Sequence, residues 1–371
     1  MPRSSITRPD DALSPDQVLA PRSVTLKDVA QRAGVDKGAA SVVLNGAKSN
    51  TGVSAQTRER ILEAARDLDY RPNPLAQRLA VGFGSKHIDL FALMLDAGIG
   101  VEKLKRIQSS LMNHGFDVPI HSYDFYGQRP DEASRKIELV RGLRRMRPRA
   151  IVCATPGADD AVLQEIEGFI ADGGVAVCYD DEVNIGCDNV VFDVGAGITR
   201  ACEHLFEHGH ERLGLYQQGA LSPQDGVLRG FLQAHEERGL QPQGCHFFGN
   251  REIGEEGGAL VAAQFLALPA SERPTGMILV NDRSAWAFCC EVGRAGIEVP
   301  RDVSVVGHDD LPIARFAPVP LTSVSHPHET IADGVVALLL DRLNGTYNGN
   351  SRRVTVRGEL IARQSVAAPR A

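Results

Sequence analysis

The fold is decided by residues 25–45, whose sequence is TLKDVAQRAGVDKGAASVVLN. Thr25 followed three residues later by Asp28 is typical of a helix start, because each side chain can bond the other residue's backbone. Gly34 supplies the permissive backbone of a turn, and Asp36 is a suitable cap for a second helix. The stretch therefore predicts two short helices joined by a tight turn. Such a pair is either an ordinary hairpin in a core or a helix-turn-helix, whose second helix enters the DNA major groove.

Two further helical segments follow this pair. A third helix is expected from Ser54, with a buried stripe formed by apolar residues at helical spacing, namely Ile61, Ala64, Ala65 and Leu68. Residues 70–80, YRPNPLAQRLA, predict a short helix capped by Asn73 with Pro74 at its first position. A helix of this length is not stable alone, so we expect it to fold only against a partner and DNA.

These segments, in this order, resemble the lac-repressor (LacI/GalR) family of transcription regulators. The matching stretches are 24–30, 33–35, 57–61, 70–73 and 76–80. The resemblance extends over about residues 22–367. It implies an all-α helix-turn-helix head on an α/β body of two Rossmann-like lobes, similar to periplasmic sugar-binding proteins.

The resemblance also implies a domain organisation. A disordered tail is expected at 1–21, a DNA-binding domain at 22–71, a hinge helix with its linker at 72–84, and an effector-binding and dimerisation domain at 85–371. Within this last domain, short apolar runs alternate with amphipathic segments. The predicted buried strands are 88–95, 150–154, 174–179, 212–216, 276–280 and 303–306. Their alternation with helices predicts parallel sheets, in which ligands bind beyond the carboxyl ends of the strands.

Composition and charge are in keeping with a DNA-binding regulator. The 371-residue chain has a net charge of −7, yet residues 22–82 carry an excess of basic over acidic side chains. This distribution suits a protein that touches phosphate with one end only. Seven cysteines without paired spacing favour a reducing cytoplasm over a disulfide framework. No apolar run is long enough for a transmembrane helix, so we expect no membrane partner.

The resemblance assigns DNA contacts in the head and hinge. It implies base reading by Lys37, Gly38 and Val42, and phosphate contacts from Thr25, Ser41 and Asn45. In the hinge it implies contacts from Asn73, Ala76, Gln77 and Leu79, with Leu79 as an apolar wedge that kinks the duplex. The family usually has an arginine where Val42 stands, so Lys37, which can donate to guanine O6 and N7, is expected to carry most direct recognition.

In the body, the resemblance implies an effector site of Asp180, Asn281 and Asp309, with Phe192 as an apolar wall and His326 beside it. Carboxylates and amides suit a ligand rich in hydroxyl groups. Alternatively, Asn281-Asp282 is only a turn and helix cap, and Asp309-Asp310 is only a loop. Val227 stands where the family usually has a ligand-gripping arginine, so the effector is expected to be a sugar or a related molecule bound in an altered pocket.

Three classes of function remain to be compared. A repressor, switched by a small-molecule effector and binding a pseudo-palindromic operator as a homodimer or tetramer, accounts for head, hinge and body together. A solute-binding protein accounts for the body alone. An enzyme is not expected, because none of the common nucleophile, phosphate-loop or zinc-protease motifs is present. No cofactor is expected, and the histidines at 204, 208 and 210 are interpreted as structural rather than as metal ligands.

Overall fold

The chain divides into two compact units, residues 1–85 and 86–371. The computed structural model describes residues 24–45, 52–70, 86, 88–92, 99–122, 132–154, 160–218, 226–240, 242, 246–250, 252 and 254–370. The predicted tail at 1–21 and the whole of the predicted hinge at 72–84 lie outside these described residues. No helix in the described part of the chain is long and apolar enough to cross a membrane.

Three helices form the described part of the first unit. They are α1 (Leu26–Ala33), α2 (Lys37–Asn45) and α3 (Ala55–Asp67). Each buries small or branched apolar side chains in a shared core that contains Val29, Ala40 and Ile61, all of them fully buried. The three-helix arrangement predicted from the sequence is confirmed.

The second unit contains two lobes, each built on a six-stranded sheet. The elements before the first crossing between lobes are β1 (Ile88–Ala92), α4 (Ile99–Asn113), β2 (Ile120–Ser122), α5 (Glu132–Met146), β3 (Ala150–Ala154), α6 (Asp160–Ala171), β4 (Val175–Asp180) and β5 (Asp188–Phe192). The second lobe follows with α7 (Val194–Glu207), β6 (Leu213–Gln218), α8 (Gly226–Glu237), β7 (His246–Asn250), α9 (Gly254–Ala267), β8 (Gly276–Leu279), α10 (Asp282–Arg294), β9 (Ser304–Asp309), α11 (Pro312–Phe316) and β10 (Thr322–Ser325). The last elements are α12 (His328–Asn344), β11 (Arg353–Val356) and β12 (Leu360–Ile361).

The strand order shows that the chain passes between the lobes three times. The first sheet has the order β11-β5-β4-β3-β1-β2, and the second has the order β12-β10-β9-β8-β6-β7. Every neighbouring pair is parallel except β10 and β12. The crossings follow β5, β10 and β11, and α12 returns to pack in the core of the first lobe. The prediction of two parallel, doubly wound lobes is confirmed.

Each of the six predicted strands is observed, with differences at its ends. The structure also describes strands that were not predicted, namely β2, β5, β7, β10, β11 and β12. The run predicted at 303–306 begins one residue later and continues to Asp309. It continues because its last two residues still pair with β10, where Val324 lies opposite His308 and Ser325 opposite Asp309. The strand predicted at 88–95 is described only as far as Ala92.

Helices α7 and α8 approach each other closely through glycines. A Cβ atom on Gly230 would overlap the backbone oxygen and carbonyl carbon of Gly195. Because backbone atoms cannot move aside as a flexible side chain can, this contact requires a glycine at position 230.

We predict that Gly230→Ala lowers the free energy of unfolding by about 2 kcal/mol or more, since the added methyl group forces the two helices apart. Gly142 in α5 is the matched control, because a Cβ atom there would have no neighbour within 4 Å. Gly142→Ala is expected to raise stability by about 0.5–1 kcal/mol. Chemical denaturation of both variants measures the two changes in the free energy of unfolding. Equal changes would contradict the requirement for glycine at position 230.

Candidate functional site

The helix ends of the head are held by side-chain caps. The Thr25 amide donates to Asp28 Oδ2 at 2.8 Å, and the Asp28 amide donates to Thr25 Oγ1 at 3.3 Å. Asp36 Oδ1 accepts from the Ala39 amide at 2.9 Å and so caps α2. Gly34 between the two helices has a left-handed backbone with φ of 65°. Each of these caps was predicted from the sequence and is confirmed, so the second helix has a well-defined start and direction.

The residues predicted to read DNA lie on this second helix. Lys37 and Gly38 are exposed in its first turn, and Ser41 and Val42 are half-buried one turn later. Thr25 is exposed at the start of α1, where its hydroxyl donates to Asp28. Asn45 ends α2, but its side chain is outside the described part. The hinge residues, Asn73, Ala76, Gln77 and Leu79, also lie outside the described residues.

A cavity of about 980 Å³ lies between the two lobes of the second unit. The first lobe contributes Glu102 and Lys105 to its wall, and the second contributes Glu255, Arg283 and Asp309. His326, at the crossing that follows β10, also lines it. Two of the predicted effector residues, Asp309 and His326, therefore face this cavity directly. Asn281 bonds Asp309 and Phe192 packs against His326, whereas Asp180 is not among the residues that line the cavity.

Asp309 is the centre of a polar cluster on the second lobe. Its Oδ1 lies 2.8 Å from His308 Nδ1, and its Oδ2 accepts from Asn281 Nδ2 at 3.0 Å. Although burial opposes its charged form, the charge and hydrogen bond of His308 hold the pKa of Asp309 at about 2. Asn281 also caps α10, since its Oδ1 accepts from the Arg283 amide. The cap interpretation of Asn281 is thus correct, and it coexists with the bond to Asp309.

Phe192 and His326 pack together where the chain crosses between lobes. Their ring centroids are 4.3 Å apart, and the Phe192 ring also lies 5.9 Å from His308. His326 Nδ1 and His308 Nε2 are buried, and neither has a hydrogen-bond partner among the residues that the structure describes. Burial, and next the charge of Lys103, lower the pKa of His326 to about 4, so its ring is neutral near pH 7.

Asp180 is held by a residue that the sequence reasoning missed. Lys103 Nζ on α4 lies 2.6 Å from both carboxylate oxygens of Asp180, and its side chain is only 5% exposed. Asp180 ends β4 as Asp309 ends β9, and both have left-handed backbones, with φ of 81° and 94°. Such strained positions are uncommon for residues other than glycine and occur preferentially at binding sites. A signal for Lys103 was available, because it shares the buried face of α4 with Ile107 and Leu111.

Asp282 is a second residue whose role was missed. It is fully buried, and its carboxylate accepts from Ser323 Oγ at 2.6 Å and from the Leu311 amide at 2.7 Å. Burial raises the pKa of Asp282 to about 7, even though these two hydrogen bonds favour the charged form. The sequence alone suggested only a turn or cap at this position.

The remaining sequence hypotheses concern Val227 and three histidines. Val227 is buried in the apolar core of the second lobe, so this position supplies no polar group to the cavity. His208 Nδ1 lies 2.7 Å from the His204 carbonyl oxygen, and His210 bonds Thr275, Ser304 and the Ala367 carbonyl. Among the described residues, no group of three or more His, Cys, Asp or Glu side chains has the arrangement of a metal site.

Comparison with known proteins identifies both parts of the chain. Residues 25–73 match the model of bacterial regulatory proteins of the lacI family, and residues 202–366 match that of a periplasmic binding protein-like domain. The HTH-type transcriptional repressor PurR of Klebsiella pneumoniae (strain 342) is 27% identical over 346 residues, which are 92% of this chain and 97% of that protein.

Solved structures show the same architecture. A lac repressor dimer bound to operator and the anti-inducer ONPF is 25% identical and matches with a TM-score of 0.71, covering 94% of this chain and all of that one. A complex of the transcriptional regulator CelR with cellobiose matches with a TM-score of 0.63 at 23% identity, covering 92% of this chain and 99% of that one, and shows the fold alone.

A capped helix-turn-helix joined to a two-lobed body with a cavity between its lobes defines a DNA-binding transcription regulator. This excludes the alternative of a solute-binding protein built from the body alone. The matches to both domains, and a relative that is similar over nearly its full length, establish the particular family. The chain belongs to the lacI family of bacterial regulatory proteins. Its curated relatives are transcriptional repressors rather than enzymes.

The raised pKa of Asp282 predicts a pH dependence of stability. Between its ordinary value of 3.8 and about 7, the folded protein holds a proton that the unfolded chain releases. Asp282 therefore favours folding at the acidic end of this range, and that contribution is lost as the pH rises through 7. We expect the melting temperature of the wild type, relative to Asp282→Asn, to fall between about pH 5 and about pH 8.

Asp302→Asn is the control for this experiment. Asp302 is a surface carboxylate whose pKa is lowered, chiefly by the hydrogen bond from the Glu298 amide, so it stays ionised throughout the range. The difference in melting temperature between Asp302→Asn and the wild type should be constant with pH. If the difference in melting temperature between Asp282→Asn and the wild type were also constant with pH, Asp282 would not take up the proton.

Proposed function

We propose that this regulator represses transcription by binding a pseudo-palindromic operator as a homodimer, and that a small-molecule effector in the cavity between the lobes switches its affinity for DNA. The observation that carries the proposal is the presence, in one chain, of a capped reading helix with an exposed first turn and a body with a polar cavity. A regulator of this kind acts in the cytoplasm, where bacterial DNA is found.

On the head, Lys37 is the principal base-reading residue of the proposal. Its exposed ammonium group at the start of α2 can donate to guanine O6 and N7. Gly38 lets the backbone approach the bases closely, and Val42 can touch a thymine methyl group. Thr25, Ser41 and Asn45 are assigned to phosphates. The hinge residues are assigned to the minor groove on the resemblance alone.

A homodimer follows from the operator symmetry, since two heads related by a two-fold axis read two equal half-sites. The lac repressor relative is itself a dimer on its operator. Large apolar side chains are exposed on the second lobe, among them Phe316, which is 78% exposed, and Leu260, which is 44% exposed. Contact with a second copy would remove such side chains from water, which is favourable.

In the body, the effector is bound by Asp309 and His326, with Asn281 and Phe192 supporting them and Asp180 beside them. The cavity lies between lobes that three chain crossings connect, so a ligand bound there contacts both. A ligand shifts an equilibrium only if it binds one state more tightly than the other. The proposed switch therefore requires that the effector prefer one arrangement of the lobes.

The head assignment predicts the effect of Lys37→Ala on operator binding. Loss of a bidentate contact to guanine costs about 1–3 kcal/mol, so we expect operator affinity to fall about 5- to 150-fold. Affinity for unrelated DNA should change much less. The operator is first selected from genomic fragments, and affinities are then measured by fluorescence anisotropy at constant salt.

Arg66→Ala is the matched control for this measurement. Arg66 is an exposed cation on α3, 73% exposed, and it pairs only loosely with Glu59 at 3.9 Å. Removing it takes one positive charge from the same unit without touching α2. Lys37→Ala and Arg66→Ala could lower the affinity for operator by the same factor, and each could lower the affinity for unrelated DNA by that factor too. In that case Lys37 would be a general electrostatic contact, and the base-reading role would be wrong. If no genomic fragment were bound specifically, the operator proposal itself would fail.

A further inference from the structure

The cavity between the lobes is lined by acidic and basic side chains that are already paired. On the first lobe, Lys105 Nζ bonds Glu102 at 2.9 Å, and on the second, Arg283 bonds Glu255 at 2.6 Å. Asp309 is bonded to His308, as described above. Asp310 Oδ1 accepts from Arg363 at 2.6 Å. Among the described residues of the cavity wall, every acidic or basic side chain other than the histidines thus has an opposite charge in contact with it.

The first lobe also contains a buried pair whose residues are not among those that line the cavity. Lys103 and Asp180 have side chains that are 5% and 17% exposed, and the ammonium group reaches both carboxylate oxygens. The Lys103 ammonium also lies 5.5 Å from the centre of the Tyr179 ring. Their charges reach the cavity wall, since both act on His326. Lys103 thus neutralises, from within the same lobe, the carboxylate that would otherwise attract a cation.

The imidazole rings of His326 and His308 add no unpaired charge to the cavity region. His326 is neutral near pH 7, so it offers the cavity a polar surface without a charge. At His308, burial works against the charged form, but the charge and hydrogen bond of Asp309 outweigh it and raise the pKa. His308 thereby compensates Asp309 on the second lobe as Lys103 compensates Asp180 on the first.

A charged ligand would meet no free counter-charge on the described part of this surface. At Asp180 or Asp309, gaining one would mean separating a buried pair and leaving a buried charge without a partner, which costs several kcal/mol. The exposed pairs of the wall offer only a solvent-screened counter-charge, which is worth little. An uncharged ligand avoids this cost, because paired carboxylates retain lone pairs for hydroxyl or amide donors and the imidazoles can exchange a hydrogen bond.

We propose that the cavity takes an uncharged molecule bearing hydroxyl or amide groups, and that Lys103, by neutralising Asp180, is the residue that sets this charge preference. The inference rests on the proposed function, since it names the chemical class of that function's effector. Molecules with a phosphate, a carboxylate or an amine in place of a neutral group are rejected.

The test uses sets of probes that share a skeleton and differ in charge. Neutral hexoses, pentoses and nucleosides are compared with the corresponding amino sugars, uronic acids, sugar phosphates and nucleotides. Thermal shift of the full-length protein selects binders, and calorimetry gives their affinities. The compound bound most tightly by the wild type is expected to be neutral, with its charged counterparts bound about 100-fold more weakly. A charged compound bound most tightly, or no shift from any neutral probe at millimolar concentration, overturns the proposal.

Charge variants test the role of Lys103 itself. Lys103→Met leaves the Asp180 carboxylate unpaired, so the ratio of amino-sugar to neutral-sugar affinity should rise about 10-fold or more. Asp180→Asn leaves the ammonium unpaired and should raise the ratio for acids instead. The double variant should again prefer the neutral probe. If Lys103→Met does not fold, Lys103→Gln removes the charge and keeps a hydrogen bond to Asp180.

Arg106→Met is the matched control, because Arg106 is on the same helix, pairs with Asp333 at an exposed position and is not among the residues that line the cavity. Water can solvate Asp333 there, so the affinity ratios should not change. Equal ratios in the wild type and in the Lys103 variants would show that Lys103 does not set the preference. Operator binding is measured on the same samples without ligand, so a failure of the effector class is distinguished from a failure of the proposed regulator.

Discussion

The site between the lobes depends on the pairing of buried carboxylates with buried bases. Asp180 and Asp309 stand at the carboxyl ends of equivalent strands in two different sheets, and each is neutralised by a base of its own lobe. A buried carboxylate without such a partner would cost several kcal/mol and would favour protonation or local unfolding. Because the partners are present, two strand ends can carry acidic groups into the region of the cavity while the lobes remain stable.

The path of the chain explains why a ligand in this cavity can act on the whole body. Phe192 ends the strand before the first crossing, and His326 follows the strand before the second. Their rings pack against each other, so the residues that form the connection between the lobes also belong to the cavity region. A change in the angle between the lobes therefore changes the site, and by linkage a ligand that fits one angle favours it.

The structure of the head is set mainly by interactions between residues that are close in sequence. Its helix ends are set by side chains three residues away in sequence, such as Thr25 with Asp28, and its core uses small side chains that allow close helix packing. With Gly38 and Val42 on the reading helix, few polar groups are available to recognise bases. The proposed recognition therefore rests mainly on Lys37, and the proposal assigns the hinge a larger share than is usual in the family.

The sequence by itself determined the helices of the head and half of the described strands of the body. The caps at Thr25 and Asp36 and the apolar runs of the predicted strands depend on neighbours within a few residues, so local patterns predict them. Only the tertiary structure decided the chemistry of the cavity. Lys103 and Asp180 are 77 positions apart. A lysine in an amphipathic helix is usually solvated, and only its burial against β4 makes it a counter-ion. Asp282 likewise depends on burial and on Ser323 from a distant strand, because a pKa follows from the surroundings that the fold creates.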